Sequence, residues 1–235
     1  MPQLPRPAPR RWTISGEVDA KDVTTRAVIP SVPMATWPPL ERVAETIATA
    51  RKRFGAHAHS RQEVLIYLIE GEARHSAGTG PGEELVAGST VYVAAGVSTA
   101  HAVNPRPGAT ARWFSVVAAL PEGAPATATV RVDRPAESDV QPDGTSVTSL
   151  IGPGSSLTSL VGLEVSVVRF HAQGTAFRRV GPGHRSVVYA LAGRGSVDNF
   201  PLETGEAALV EEAAAVSISG GEHFRIVHAT VPRTE

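Results

Sequence analysis

Short apolar runs separated by turn residues dominate the chain. Runs rich in Val, Ile, Leu and Tyr alternate with polar stretches, and 22 glycines and 19 prolines interrupt the 235 residues. Such runs, bounded by Gly and Pro, are typical of strands joined by tight turns. Several are almost continuously apolar, as in strands that are buried on both faces. The pattern predicts strands at 64–69, 90–94, 111–119, 164–170, 186–191, 214–218 and 223–230.

One segment has helical spacing instead. Leu40, Val43, Ile47 and Ala50 recur at intervals of three or four residues after Pro39. Apolar residues at this spacing lie on one face of a helix, and proline is favoured in the first helical turn. The spacing therefore predicts a helix over 39–51.

A repeat divides the chain into two halves. The sequence YLIEG at 67–71 recurs as YALAG at 189–193, which is 122 residues later, and an acidic turn and a further strand pair follow each copy. The segment 121–144, rich in Pro, Ala, Asp and Glu, is the expected connection. Antiparallel domains of this size hide their edges by closing into barrels or double sheets. We therefore predict an all-β chain with two similar domains, at 1–125 and 126–235.

Charge and composition exclude several classes of function. The 22 basic and 23 acidic residues give a net charge of −1, and no basic stripe of the kind that binds nucleic acid is present. No apolar run approaches the roughly 20 residues of a membrane-spanning helix, and the N-terminal segment lacks the apolar stretch of a secretory signal. These features predict a cytoplasmic protein without membrane or direct nucleic-acid partners. Because cysteine is absent, any metal must have nitrogen and oxygen ligands.

Histidines supply the candidate ligands. His57 and His59 are two residues apart, so on a strand both imidazoles point to the same side. Glu63 follows just before an apolar run, and His101 comes after a glycine turn that begins at Gly96. A facing strand would bring His101 back to the pair.

These residues resemble the motifs of a known family. The sequence HAHSRQE at 57–63, the YLIEG at 67–71 and His75 are similar to the first cupin motif of the pirin family. The AAG at 94–96 leading to His101 resembles its second motif. The resemblance implies a bicupin, in which two tandem cupin domains each form a double-stranded β-helix or jelly-roll barrel, the second being degenerate.

The resemblance also implies one divalent metal in the first domain. Pirin-like proteins hold it, commonly as iron, through residues that correspond here to His57, His59 and His101, and through a glutamate whose position is Val103. Manganese, nickel, cobalt and zinc are alternatives. Three outcomes stay open: Glu63 is the fourth ligand, waters complete a three-histidine site, or the site is without metal and the imidazoles are hydrogen-bonded.

The other histidines are expected to be structural. We predict that His75 supports the ligands without being one, and that His171, His223 and His228 belong to the fold. In the second half, the 122-residue offset places Arg179 and Gly181 where the first half has its histidine pair. We therefore expect no second metal site.

The function implied by the resemblance is a metal-dependent dioxygenase similar to quercetin 2,3-dioxygenase. If Glu63 is not a ligand, it is the candidate catalytic base, and Leu65, Tyr67 and Val103 are expected to line the cavity for a small aromatic or enolisable substrate. The alternative is a non-catalytic regulatory cupin that senses a small ligand or a redox change. A sugar-acid isomerase is less attractive because lysine clusters for a phosphate are absent. Strand edges permit a homodimer without requiring one.

Overall fold

A computed structural model describes residues 10–12, 17–20, 22–29, 37–51, 53–78, 82–211 and 213–234. The regular elements in these ranges are β-strands, which confirms the predicted all-β class. In the same ranges there is no helix with the length and hydrophobicity needed to cross a membrane. The strands form two compact units, each built from two antiparallel sheets.

The first unit contains β2 to β12 and, from later in the chain, residues 159–161. Its strands are β2 (Glu17–Ala20), β3 (Val23–Ile29), β4 (Leu40–Thr49), β5 (His57–His59), β6 (Gln62–Glu70), β7 (Glu72–Ala77), β8 (Glu83–Val86), β9 (Thr90–Ala95), β10 (Thr99–Pro105), β11 (Thr110–Ala119) and β12 (Thr129–Asp133). The large sheet has the order β12-β9-β6-β11-β4-β3-β2, and the small sheet β5-β10-β7-β8. Apolar side chains of both sheets form one core between them.

The second unit contains β1 and the strands from β13 onward. Its strands are β1 (Arg10–Trp12), β13 (Thr145–Ile151), β14 (Glu164–Phe170), β15 (Gly174–Arg179), β16 (His184–Ala192), β17 (Arg194–Val197), β18 (Phe200–Glu203), β19 (Ala207–Glu211), β20 (Ala215–Gly220) and β21 (Arg225–Pro232). The large sheet has the order β1-β19-β16-β21-β14-β13, and the small sheet β15-β20-β17-β18.

The two units repeat one topology. The order β9-β6-β11-β4-β3 corresponds strand for strand to β19-β16-β21-β14-β13, and the small sheets correspond in the same way. The repeated glycines close the equivalent strands β6 and β16, where Gly71 and Gly193 have φ values of 82° and 79°. A Cβ atom on Gly71 would lie 2.0 Å from the backbone oxygen of Thr110. The repeated glycine is therefore required both by its left-handed backbone and by close packing.

Two sequence expectations differ from the structure. The predicted helix over 39–51 is wrong, because this segment is β4, which pairs with β11 on one side and with β3 on the other. Pairing on both sides within the sheet outweighs the weak helical spacing. The segment also contains β-branched residues, which favour strands, namely Val43, Thr46, Ile47 and Thr49. The predicted domains end and begin at 125 and 126, whereas β12 still pairs with β9 of the first unit and β1 pairs with β19 of the second.

The two faces of β6 decide which residues reach the interior of the first unit. Val64 and Ile66 belong to the core between the sheets, together with residues of the facing strands. Side chains alternate along a strand, so Leu65 and Tyr67 lie on the opposite face. The expectation that these two residues line the cavity is therefore wrong, although both are buried.

Candidate metal centre

Three imidazoles converge between β5 and β10. The two strands pair with His101 opposite His57 and Thr99 opposite His59, so all three histidines lie on one face. One ligand atom from each ring lies within 4.8 Å of the others. The ring centroids are 4.8 to 5.0 Å apart. The structure thus brings together His57, His59 and His101, the residues singled out in the sequence.

A hydrogen-bond chain orients His59. Its Nδ1 lies 2.6 Å from Oε1 of Gln62, and Nε2 of Gln62 donates to the carboxylate of Glu41 at 2.5 Å. Because the glutamine amide donates to Glu41, its oxygen is the atom available to accept from Nδ1 of His59. This arrangement leaves the lone pair of His59 on Nε2.

His75 and a backbone carbonyl orient the other two rings. Nε2 of His75 lies 3.2 Å from Nδ1 of His101, and both side chains are buried. His57 is hydrogen-bonded to the backbone of Gly55. Each ring of the trio therefore has one hydrogen-bonded nitrogen and a second one available as a ligand, as is common for metal-bound histidines.

The free nitrogens fit a cation better than a metal-free pocket. Nε2 of His59 and Nε2 of His101 are buried and have no hydrogen-bond partner among the described residues. Burial, and then the neighbouring histidines, lower the pKa of His101 to about 3. The pKa of His57 is lowered by burial first and by His59 next, with a smaller effect from Arg42. Neutral imidazoles with unpartnered nitrogens are the form that binds a metal.

Glu63 is not part of this cluster. Its buried carboxylate accepts hydrogen bonds from Ser159 Oγ at 2.8 Å and from the backbone N–H groups of Leu160 and Val161 at 3.1 and 3.3 Å. It also contacts Tyr92, whose pKa is raised by burial and by this hydrogen bond. Because Glu63 lies on the face of β6 opposite Val64, its expected roles as fourth ligand and as base are not supported. It holds the 159–161 segment in place instead.

A cavity of about 340 Å³ opens beside the three histidines. Its apolar wall contains Val103, as expected, and five further residues. These are Phe54, Val64, Ile66, Trp113 and Val117. Its other polar residues are Thr25, Arg42, Thr46 and Ser115. None of these lining residues carries a carboxylate, so Val103 is not compensated by an acid elsewhere in the wall.

Sequence reasoning missed Gln62, Glu41 and Arg42. Gln62 could have been identified from its position three residues after His59, on the other side of the bend at Ser60 and Arg61. Glu41 and Arg42 lie in the segment whose apolar spacing predicts a helix, and a register shift in the pairing of β4 with β11 falls beside them. Such irregularities redirect side chains and are frequent next to active sites.

The second unit fills the equivalent position with other residues. Counting along the paired strands from the repeated glycine places Val216 where the first unit has His101, and Arg178 opposite it where the first unit has His57. Apolar residues take the other two positions, Val180 for His59 and Val197 for His75. The three valines belong to the core, and no second cluster of metal-ligand residues is found among the described residues.

The remaining histidines of this unit are scattered. Nε2 of His171 is 2.7 Å from Ser146 Oγ, and His223 is exposed beside Glu222. His228 is buried, and its Nε2 has no hydrogen-bond partner among the described residues. Burial, followed by the positive charge of Arg178, lowers the pKa of His228 to about 4.

Two units of facing antiparallel sheets with the same topology make up a bicupin fold. Neither the models of known protein families nor the curated proteins match the sequence. Solved structures do match. GK1651 from Geobacillus kaustophilus has a TM-score of 0.82 and 18% identity over 96% of each chain.

Two further solved structures are of proteins whose names state a function. The bacterial pirin YhhW from Escherichia coli, in complex with nickel(II), has a TM-score of 0.78 and 16% identity over 93% of this chain and 96% of that chain. Quercetin 2,3-dioxygenase from Acinetobacter baumannii has a TM-score of 0.77 and 17% identity over 97% of this chain and 78% of that chain. These similarities show that this chain has the fold of the pirin-like bicupins.

Proposed function

We propose that the protein is a metal-dependent dioxygenase that acts on a small enolisable aromatic substrate. The observation that carries this proposal is the trio of His57, His59 and His101, each with one ring nitrogen hydrogen-bonded and the other available, at the wall of a 340 Å³ cavity. The nickel-bound pirin and the quercetin 2,3-dioxygenase of the same fold support it.

The three histidines would hold the divalent ion, with iron as the first candidate and nickel, manganese, cobalt and zinc as alternatives. The ion supplies Lewis acidity toward a substrate hydroxyl and access to O₂ chemistry. Imidazole ligands bring no negative charge, and Val103 adds no carboxylate, so the full charge of the ion is available to the substrate oxygen. Gln62 and His75 fix the ring orientations on which this site depends.

The apolar wall performs the remaining tasks. Phe54 and Trp113 meet edge to face with ring centroids 5.6 Å apart, and Val64 and Ile66 also line the cavity. These side chains exclude water from a bound aromatic ring and orient it. No carboxylate lines the cavity, so the substrate proton leaves through the solvent-exposed side where His57 and Arg42 lie.

One observation favours a second function, a regulatory cupin that binds a small ligand without turning it over. Val103 stands where the first unit's pirin-like motif implies a ligand glutamate, and Glu63 does not replace it. A metal held by three neutral imidazoles has an altered affinity and redox potential, which suits sensing as well as catalysis.

Metal loading followed by O₂ uptake separates the two functions. The purified protein is loaded in turn with iron, manganese, nickel and cobalt, and O₂ consumption is measured with quercetin and with the one-ring 2-hydroxybenzoate. We expect uptake with at least one metal and its loss in His57→Ala, a change at an exposed position that spares the core. His223→Asn, which removes an exposed imidazole in the second unit, is the matched control. Metal binding without O₂ uptake would favour the regulatory function, and no metal binding would refute both metal-dependent proposals.

A further inference from the structure

Arg42 is the one charged side chain other than histidine among the described residues that line the cavity. Within the described part of the chain, no hydrogen bond or ion pair engages its guanidinium group. Other arginines nearby are paired: Arg112 and Arg26 both bind the buried carboxylate of Glu45. An arginine left without an acid beside a cavity is available to a ligand.

The local structure of β4 places Arg42 at this wall. Arg42 pairs with Val117, which also lines the cavity, and the next pair along β11 is Ala118 with Leu40. Glu41 is therefore an extra residue in the ladder, and it turns to Gln62 while Arg42 faces the cavity. This irregularity in the strand pairing makes the side chains of Glu41 and Arg42 point to different places although the two residues are adjacent in sequence.

The charges around the cavity are unbalanced. The histidines bring no negative charge, Val103 is apolar, and Glu41, which does not line the cavity, accepts a hydrogen bond from Gln62. With a divalent ion at the histidines, the cavity wall holds three positive charges and no negative one. A ligand that brings negative charge is favoured, because Arg42, although solvent-exposed, has no acid in the cavity wall to pair with.

We infer that the cavity selects a small aromatic carboxylate, whose acid group pairs with Arg42 while a neighbouring hydroxyl faces the three histidines. This inference specifies the substrate class of the proposed function and rests on it. Arginine binds carboxylates through two parallel N–H donors, which fixes orientation as well as charge. The ring would pack against Phe54 and Trp113. A volume of 340 Å³ is near the lower end of the about 300–1,000 Å³ usual for ligand pockets and suits one or two rings.

The test compares an acid with its neutral amide. Dissociation constants for 2-hydroxybenzoate and 2-hydroxybenzamide are measured by calorimetry on the zinc-loaded and the metal-free protein. We expect the acid to bind the zinc-loaded protein at least about tenfold more tightly, the smallest effect expected of a hydrogen bond to a charged group. Arg42→Gln should remove this preference by weakening the acid alone, and Arg42→Lys should restore part of it.

Arg194→Gln is the control, since Arg194 is an exposed arginine of the second unit and its loss should leave both constants unchanged. Unfolding curves of each variant verify that the fold is intact. Equal binding of acid and amide to the wild type, or a preference that survives in Arg42→Gln, would overturn the inference.

Zinc binding is titrated separately, so the two proposals fail differently. Zinc binding without an acid preference overturns the substrate class and leaves the metal site standing. An acid preference that depends on Arg42 in a protein that binds no zinc supports the anion-binding role of Arg42 and refutes the metal-dependent function.

Discussion

Replacing His75 tests whether a residue that does not itself hold the metal influences the metal affinity through its hydrogen bond to His101. We expect His75→Phe to weaken metal binding by about 10- to 100-fold, the usual effect of removing the hydrogen-bond partner of a ligating histidine. The aromatic ring of phenylalanine fills the space of the imidazole, but it cannot accept from Nδ1 of His101 at 3.2 Å. His101 then loses the bond that fixes its ring and directs Nε2 toward the other two histidines.

The expected loss corresponds to about 1.4–2.7 kcal/mol of binding free energy, at 1.4 kcal/mol per factor of ten. The same substitution leaves a buried ring nitrogen without its partner, which lowers the free energy of unfolding by about 1–3 kcal/mol. The two effects are separable because the first is measured on folded protein. His75→Gln, whose amide oxygen is able to accept from His101, should recover part of the metal affinity.

Competition with a chromophoric chelator gives the dissociation constant for zinc or cobalt, and the visible spectrum of the cobalt form reports the geometry of the site. His223→Asn serves as the control, because its imidazole is exposed and belongs to the second unit. If His75→Phe stays folded and its metal affinity and cobalt spectrum equal those of the wild type, the orienting role of His75 is refuted.

Two further predictions concern stability and the limits of the site. Below pH 6.5 the unfolded chain protonates His228, whereas the folded chain, with the pKa of His228 at about 4, does not. His228 should therefore contribute a fall of about 2–3 kcal/mol to the free energy of unfolding between pH 7.5 and 4.5, in addition to the contribution of His101. Urea unfolding should show this loss reduced in His228→Gln, and an undiminished loss would contradict the assignment. Glu63→Gln should lower the free energy of unfolding by about 1–3 kcal/mol and change the metal affinity less than twofold. Loss of metal binding in this variant would instead show that Glu63 is a ligand.

Much of the fold could be predicted because its signals are local. The i, i+2 histidine pair and the glycine turns are short-range features, and each of the seven expected strands overlaps a strand of the structure. The helix error has a different origin. Apolar residues of β4 such as Leu40, Val43 and Ile47 satisfy helical spacing but also suit a strand with neighbours on both sides, and only the pairing with β11 and β3 decides between the two structures.

The fate of Glu63 shows where spacing along the sequence ceases to predict geometry. In an uninterrupted strand, His59 and Glu63 would lie on one face because they are four residues apart. The bend between β5 and β6 breaks this alternation, and Arg61 within it has a left-handed φ of 52°. Beyond the bend, Gln62 bonds His59 and Val64 lines the cavity, while Glu63 points away. The backbone conformation of this bend thus turns the nearest carboxylate away from the histidines. The cavity wall is left with Arg42 and no acid, which is why we expect Arg42 to bind an anionic substrate.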